Sequence, residues 1–132
     1  MKRSHEILAG LSFLISFIIY VMTMAPTTSF WDCGEFIAVS HTLGVPHPPG
    51  SPFFLLLGRI FSMIPFNEDV AFRVNIISPL VSALAVMLLY LSIVKVVTHW
   101  RGKVNSSMDS LIVFGGGVSG ALAFAFTDSH WF

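Results

Sequence analysis

A chain of 132 residues that is 55% hydrophobic and only 11% charged, with seven basic residues matched by seven acidic ones, carries no net charge. Soluble domains hold about a quarter charged residues, so this composition, with its mean hydropathy of +0.81, belongs to an integral membrane protein. The neutral balance and the lack of a phosphate-cradling glycine motif exclude a nucleic-acid binder, and the single Cys33 excludes an internal disulfide and a structural zinc site.

The first predicted element is the uncharged run Ile7 to Met24, which as a helix reaches roughly 27 Å and spans the hydrocarbon. Lys2 and Arg3 precede it, so the positive-inside rule leaves the N-terminus in the cytoplasm and sends Pro26 onward to the far side. A cleaved signal peptide ending near Thr23-Met24-Ala25 is the competing reading, but the run exceeds the roughly 7 to 15 residues of a signal core. Next, Asp32 to Leu43 reads as a short helix with Gly44 as its stop and Pro46 beyond. Ser51 as N-cap and Pro52 at the first helical position open another helix through Ile64, closed by Pro65. At roughly 18 Å that helix is too short to span and is expected to be interfacial or re-entrant.

Val74 to Val94 is the second uncharged stretch, with Pro79 tolerated in its first turns, and it crosses back. Lys95, Arg101 and Lys103 then cluster on the cytoplasmic side, in agreement with Lys2 and Arg3. Asn105-Ser106-Ser107 matches a glycosylation acceptor, but on this topology it faces the cytoplasm and carries no meaning. Ser110 to Thr127 is the third span, where Gly116 and Gly120 form a GxxxG pair suited to close helix approach. Because the sequence stops at Ser129-His130-Trp131-Phe132 directly after this segment, the expectation is an N-terminal fragment of a longer protein. The predicted fold is therefore all-α and integral to the membrane. It has three spans, near residues 7–24, 74–94 and 110–127, and two short interfacial or re-entrant helices in an extracytoplasmic loop, residues 25–73.

That loop holds four of the seven acidic residues: Asp32, Glu35, Glu68 and Asp69. Asp32 and Glu35 are three apart, so on one helix they share a face. They could form a capping-box-like pair that satisfies backbone N–H groups, or converge on a substrate, and the two readings can both hold. Their place beside Trp31 and Phe36, just past a membrane exit, favours chemistry, because ionised groups near hydrocarbon demand a reason. His47, between Pro46 and Pro48, is either aimed by a restrained backbone or incidental to a rigid turn. His41 is expected at the surface. Arg59 and Arg73 could meet a lipid phosphate, or pair with Glu68 or Asp69. Phe53-Phe54-Leu55-Leu56-Leu57 reads as membrane packing.

The string Trp31-Asp32-Cys33-Gly34-Glu35-Phe36, followed by Leu43-Gly44-Val45-Pro46-His47-Pro48-Pro49-Gly50-Ser51-Pro52, resembles the N-terminal part of the transmembrane protein O-mannosyltransferase-like family. That family is glycosyltransferase family 117, formerly a domain of unknown function, and belongs to the GT-C superfamily. The resemblance covers nearly the whole chain. It implies a far longer, multi-spanning protein of which residues 1–132 are the N-terminal part. It also implies transfer of a sugar, mannose being one candidate, from a polyprenyl-phosphate donor to protein Ser or Thr hydroxyls at the extracytoplasmic face. The expected partners are the lipid-linked donor, a protein acceptor, membrane lipids and the remaining helices of the full-length chain. The expected location is a bacterial inner membrane.

In GT-C enzymes an acidic motif follows the first span, and Asp32 and Glu35 occupy that place. Lipid phosphate is already a good leaving group, so the chemistry needs a base for the hydroxyl and positive charge near the phosphate. Asp32 is assigned as base and Glu35 as the orienting group, with His47, Arg59 and Arg73 as substrate contacts. Two carboxylates also suit Mg²⁺ or Mn²⁺, although no cofactor is required. The competing functions are a non-catalytic membrane scaffold, whose acidic loop would be structural, and a transporter fragment, disfavoured by three uncharged spans.

Overall fold

Hydrocarbon offers backbone N–H and C=O groups no water, so an apolar chain must satisfy them within helices. The computed structural model of the chain describes residues 2–102 and 104–127, and among these it contains helices and no strand. Lys103, the Ser129 to Phe132 end and the side chains of Lys2 and Arg3, each of which carries part of the sequence reading, lie outside the described residues. The helices are α1 (Lys2–Thr23), α2 (Cys33–Thr42), α3 (Pro52–Met63), α4 (Val70–Asn75), α5 (Ile77–Arg101) and α6 (Ser107–Ala125). Three stretches, Ser4–Thr23, Val70–Arg101 and Ser107–Ala125, are long and apolar enough to cross a membrane, and Pro52–Met63 is a shorter apolar helix.

The second span differs from the sequence reading in both its start and its end. Pro79 has no N–H to give the carbonyl of Asn75 four residues back, so the hydrogen-bond ladder is interrupted there and α4 ends at Asn75. Asp69 starts α4 by accepting from the Ala71 N–H at 2.8 Å. Beyond the break α5 continues to Arg101, past the expected end at Val94. The third helix begins earlier than expected because Ser106 caps it, accepting from the Asp109 N–H at 3.0 Å.

The chain divides into two compact units, residues 1–20 with 80–132 and residues 21–79. In the first, each helix buries a stripe of mostly small residues: Ala9, Ser12, Ser16 and Tyr20 on α1, Ala83, Val86, Tyr90 and Val94 on α5, and Val113, Gly117, Ala121 and Ala125 on α6. The buried face of α6 is thus Gly117-Ala121-Ala125, whereas both glycines of the expected Gly116-Gly120 pair are exposed. A Cβ on Gly117 would lie 3.0 Å from Val94 and 3.2 Å from Tyr90, whereas Gly116 has nothing within 4 Å and Gly120 meets only the Ile93 side chain at 3.3 Å. Helices without a hydrophobic driving force between them associate through such packing and through polar ties. The Tyr20 hydroxyl donates to the Ala125 carbonyl at 2.6 Å, and Tyr90 meets His5 Nδ1 at 3.1 Å.

The second unit packs α2, α3 and α4 around Ile37, Ala71, Val74 and Ile77, with Phe54, Leu57 and Phe61 of α3 against them. Gly58 lets α3 lie against α2, since a Cβ there would fall 2.5 Å from Ser40 Oγ. The outward face of α3 is apolar, with Phe53, Leu56, Ile60 and Met63 exposed. The end of α2 also corrects the sequence reading. Leu43 rather than Gly44 takes the left-handed conformation (φ 54°), and the Gly44 N–H returns to the Val39 carbonyl at 3.1 Å. That pairing is the Schellman arrangement, in which the left-handed residue precedes the one whose amide reaches back, so the position falls on Leu43.

Candidate functional site

Helix α2 begins a few residues beyond α1, with Asp32 at its N-cap and Glu35 in its first turn. Capping would direct both carboxylates onto the helix's own amides, but the Asp32 side chain makes no cap hydrogen bond. Glu35 turns away from its helix. One of its oxygens accepts the backbone N–H of His47 at 2.9 Å and the other meets His47 Nδ1 at 2.7 Å. Both oxygens are therefore committed to a single residue twelve positions on, and Glu35 ties the proline-flanked turn to the start of α2.

A carboxylate only accepts, so this contact places the proton on Nδ1 and leaves Nε2 as the free face of the ring. Nε2 looks toward Asp32 Oδ2 at 3.8 Å. Ligating atoms of Asp32, Glu35 and His47 all lie within 4.8 Å of one another, so the sequence expectation that His47 is aimed has a definite geometry. The cluster faces solvent: the side chains of Asp32, His47 and Glu35 are 58%, 49% and 37% exposed. The Glu35 carboxyl is held below its ordinary range, first by the His47 backbone N–H and then by the His47 ring. The imidazole of His47 is pushed up, first by its hydrogen bond to Glu35 and then by that carboxylate's charge, with a further contribution from Asp32.

Phe36 stands next to the cluster. Its ring meets His47 edge-on at 6.2 Å and Phe54 at 6.0 Å. On its other side lies a cavity of about 290 Å³ within the same unit, lined by Cys33, Phe36, Ile37, Phe54, Val74 and Asn75 among others. Asn75 is a residue that the sequence reading does not single out. Its amide donates to the carbonyls of Ala25 at 3.1 Å and Thr27 at 2.8 Å, and its oxygen accepts from the Cys33 thiol at 3.8 Å, so it anchors the segment leading into α2. The signal that could find it is a polar amide at the mouth of an apolar helix.

The structure does not bring the two arginines into hydrogen-bond contact with this cluster. Arg59 donates to the carbonyl of His41 near the end of α2, and Arg73 donates to the carbonyl of Ser62 at 2.7 Å. Neither forms the ion pair with Glu68 or Asp69 that the sequence allowed, and Asp69 is instead occupied as the cap of α4. The guanidiniums instead hold α2, α3 and α4 together, and Arg73 Nε is buried without a partner. His41 is exposed, as expected.

The family model described as the protein O-mannosyl-transferase TMEM260 N-terminal domain matches residues 32–132, a region that begins on Asp32. A protein O-mannosyl-transferase tmem260 from Dictyostelium discoideum is 40% identical over 111 residues, covering 82% of this chain and 14% of that protein. The protein O-mannosyl-transferase TMEM260 of Mus musculus is 38% identical over 76 residues, covering 57% of this chain and 11% of its own. The chain therefore spans a small fraction of the length of these relatives. No solved structure matches it.

Proposed function

Since the chain belongs to the protein O-mannosyl-transferase TMEM260 N-terminal domain family, we propose that it forms part of a GT-C type membrane glycosyltransferase. On this reading the enzyme moves a sugar, mannose by the name its relatives carry, from a polyprenyl-phosphate donor to Ser or Thr hydroxyls of a protein. The reaction takes place on the extracytoplasmic side, with the N-terminus of α1 in the cytoplasm. The observation that carries the proposal is the Asp32 carboxylate. It sits at a helix start yet is released from capping, and it shares its opening with a histidine whose free nitrogen faces it.

Asp32 takes the proton of the acceptor hydroxyl as that oxygen attacks the anomeric carbon, and the bond from carbon to the lipid-phosphate oxygen breaks with its electron pair leaving on the phosphate. Glu35 acts through His47, fixing the turn and the ring so that the acceptor meets a set geometry. Arg59 and Arg73 serve mainly as struts, and on this reading their remaining N–H groups, the buried Arg73 Nε apart, meet the donor phosphate.

The test is transfer of labelled sugar to an acceptor peptide by the intact protein in membranes. Asp32→Asn should lower turnover by about 10²-fold or more, the scale of a lost general base, while expression and thermal stability persist. Full transfer by the Asp32→Asn, Glu35→Gln double variant would assign the acidic loop to structure and leave a scaffold.

A further inference from the structure

The geometry points to a cation site: Asp32 Oδ2 and His47 Nε2 form an open pair of ligands for a divalent transition metal, Mn²⁺ or Zn²⁺, with Glu35 as the outer support. This deepens the transferase reading and rests on it for the cation's purpose, though the binding itself does not. Acidity alone would not carry the inference, since exposed carboxylates are commonplace. What carries it is the division of labour among the three side chains.

Glu35 spends both oxygens on His47, one on the main-chain N–H at 2.9 Å and one on Nδ1 at 2.7 Å. That is how metal-binding histidines are prepared: a carboxylate accepts one ring N–H, fixes the tautomer and presents the opposite nitrogen as a lone pair. The presented nitrogen here is Nε2, and the group 3.8 Å in front of it is the N-cap carboxylate of α2, which does not cap its helix. Two ligands of a tetrahedral ion with bonds of about 2.0–2.1 Å lie about 3.4 Å apart, so a few tenths of an ångström of side-chain rotation would close the pair. Asp32, more than half exposed and without a cap hydrogen bond, supplies that rotation while Glu35 holds the His47 ring.

The donor set decides the class of ion. One imidazole nitrogen with a carboxylate oxygen suits Mn²⁺ or Zn²⁺ better than Mg²⁺ or Ca²⁺, which prefer oxygen alone. Two protein ligands leave the remaining positions to water or a substrate oxygen, the arrangement of a catalytic rather than a structural site. The electrostatics agree. Two carboxylates would repel the phosphate of the proposed donor, and a divalent cation offsets both charges.

The intact protein in lipid nanodiscs, stripped with chelator, should bind Mn²⁺, read by loss of the free-ion electron paramagnetic resonance signal, or Zn²⁺, read by calorimetry; the two arms identify the ion. Asp32→Asn and His47→Gln should each abolish binding, and Glu35→Gln should weaken it by about 10- to 100-fold, as outer-shell changes do. His41→Gln, at an exposed histidine outside the Asp32, Glu35 and His47 cluster, should bind as wild type, and thermal unfolding checks that each variant folds. Absence of binding to the wild type at millimolar ion, or binding that Asp32→Asn and His47→Gln leave intact, overturns the site. Transfer activity read on the same samples separates the two proposals. If Asp32→Asn abolishes transfer while the wild type binds no metal, the cation site fails and the transferase stands. If the wild type binds metal while transfer survives Asp32→Asn, the cation site stands and the catalytic role of Asp32 fails.

Discussion

At the scale of single residues the decisive feature is that Glu35 and His47 each favour the charged form of the other. Glu35's lowered pKa favours the folded turn above its ordinary 4.5, and that contribution is lost as pH falls through the lowered value. His47's raised pKa favours the same turn fully below 6.5, and that contribution is lost as pH rises through the raised value. The clamp is therefore at full strength between pH 4.5 and 6.5 and weakens on either side, as pH falls through the lowered Glu35 value or rises through the raised His47 value. Glu35→Gln removes the leading causes of the His47 shift. The His47 midpoint, followed by nuclear magnetic resonance of the labelled ring with chelator present, should fall, since only desolvation, which lowers it, and the lesser push from Asp32 remain. An unchanged midpoint would mean that another group charges the ring. None of this was legible from residue types. Spacing placed Asp32 and Glu35 on one helical turn, but it could not say that one carboxylate would leave its helix for a residue twelve positions away.

At the scale of elements, two glycines set how closely helices meet, and each supports a prediction. Gly58 lies against α2 so tightly that a Cβ would sit 2.5 Å from Ser40 Oγ and 2.7 Å from Ser40 Cβ, so Gly58→Ala must push α3 away. The expected cost is about 1–3 kcal/mol in thermal or denaturant unfolding, as for overpacking elsewhere. Ser40→Gly in the same chain removes both clashing atoms and should restore most of the loss, because the helix-propensity cost of the new glycine is offset by the glycine replaced at 58. If Gly58→Ala unfolds like wild type, the α2–α3 contact is looser than described. Gly117 is the counterpart between α5 and α6: Gly117→Leu should lower the unfolding temperature, whereas Gly115→Ala, with nothing within 4 Å, should not. The sequence announced small residues in this helix, but not that the stripe facing α5 is centred on Gly117. A GxxxG pattern has no preferred side when a third glycine adjoins it, and only the partner, here Tyr90 and Val94, selects Gly117.

At the scale of the whole molecule, what hydropathy and punctuation encode was legible in advance: three apolar helices, short helices between the first two, and proline at the start of α3. Hydrophobic runs report helices because a single periodic rule governs them, and Pro52 and Ser51 stand where such a rule puts them. The end of α4 at Asn75 escaped because Pro79 acts four residues upstream of itself, through a missing N–H and not through its own conformation. Orientation across the membrane is a separate matter of charge, and it can be tested with exposed positions on opposite sides of the proposed topology. In a Cys33→Ser background, Val45→Cys in the proline-flanked turn and Trp100→Cys at the end of α5 introduce thiols at sites that are 93% and 88% exposed. Lys95 and Arg101 flank Trp100, so the positive-inside rule retains that end in the cytoplasm and puts Val45 across the bilayer. A membrane-impermeant maleimide applied to sealed cells should therefore modify Val45→Cys at once and Trp100→Cys only after permeabilisation. The reverse pattern would turn the carboxylate cluster toward the cytoplasm and remove it from any lipid-linked donor presented outside, whereas labelling of both sites from outside would mean that α5 does not cross.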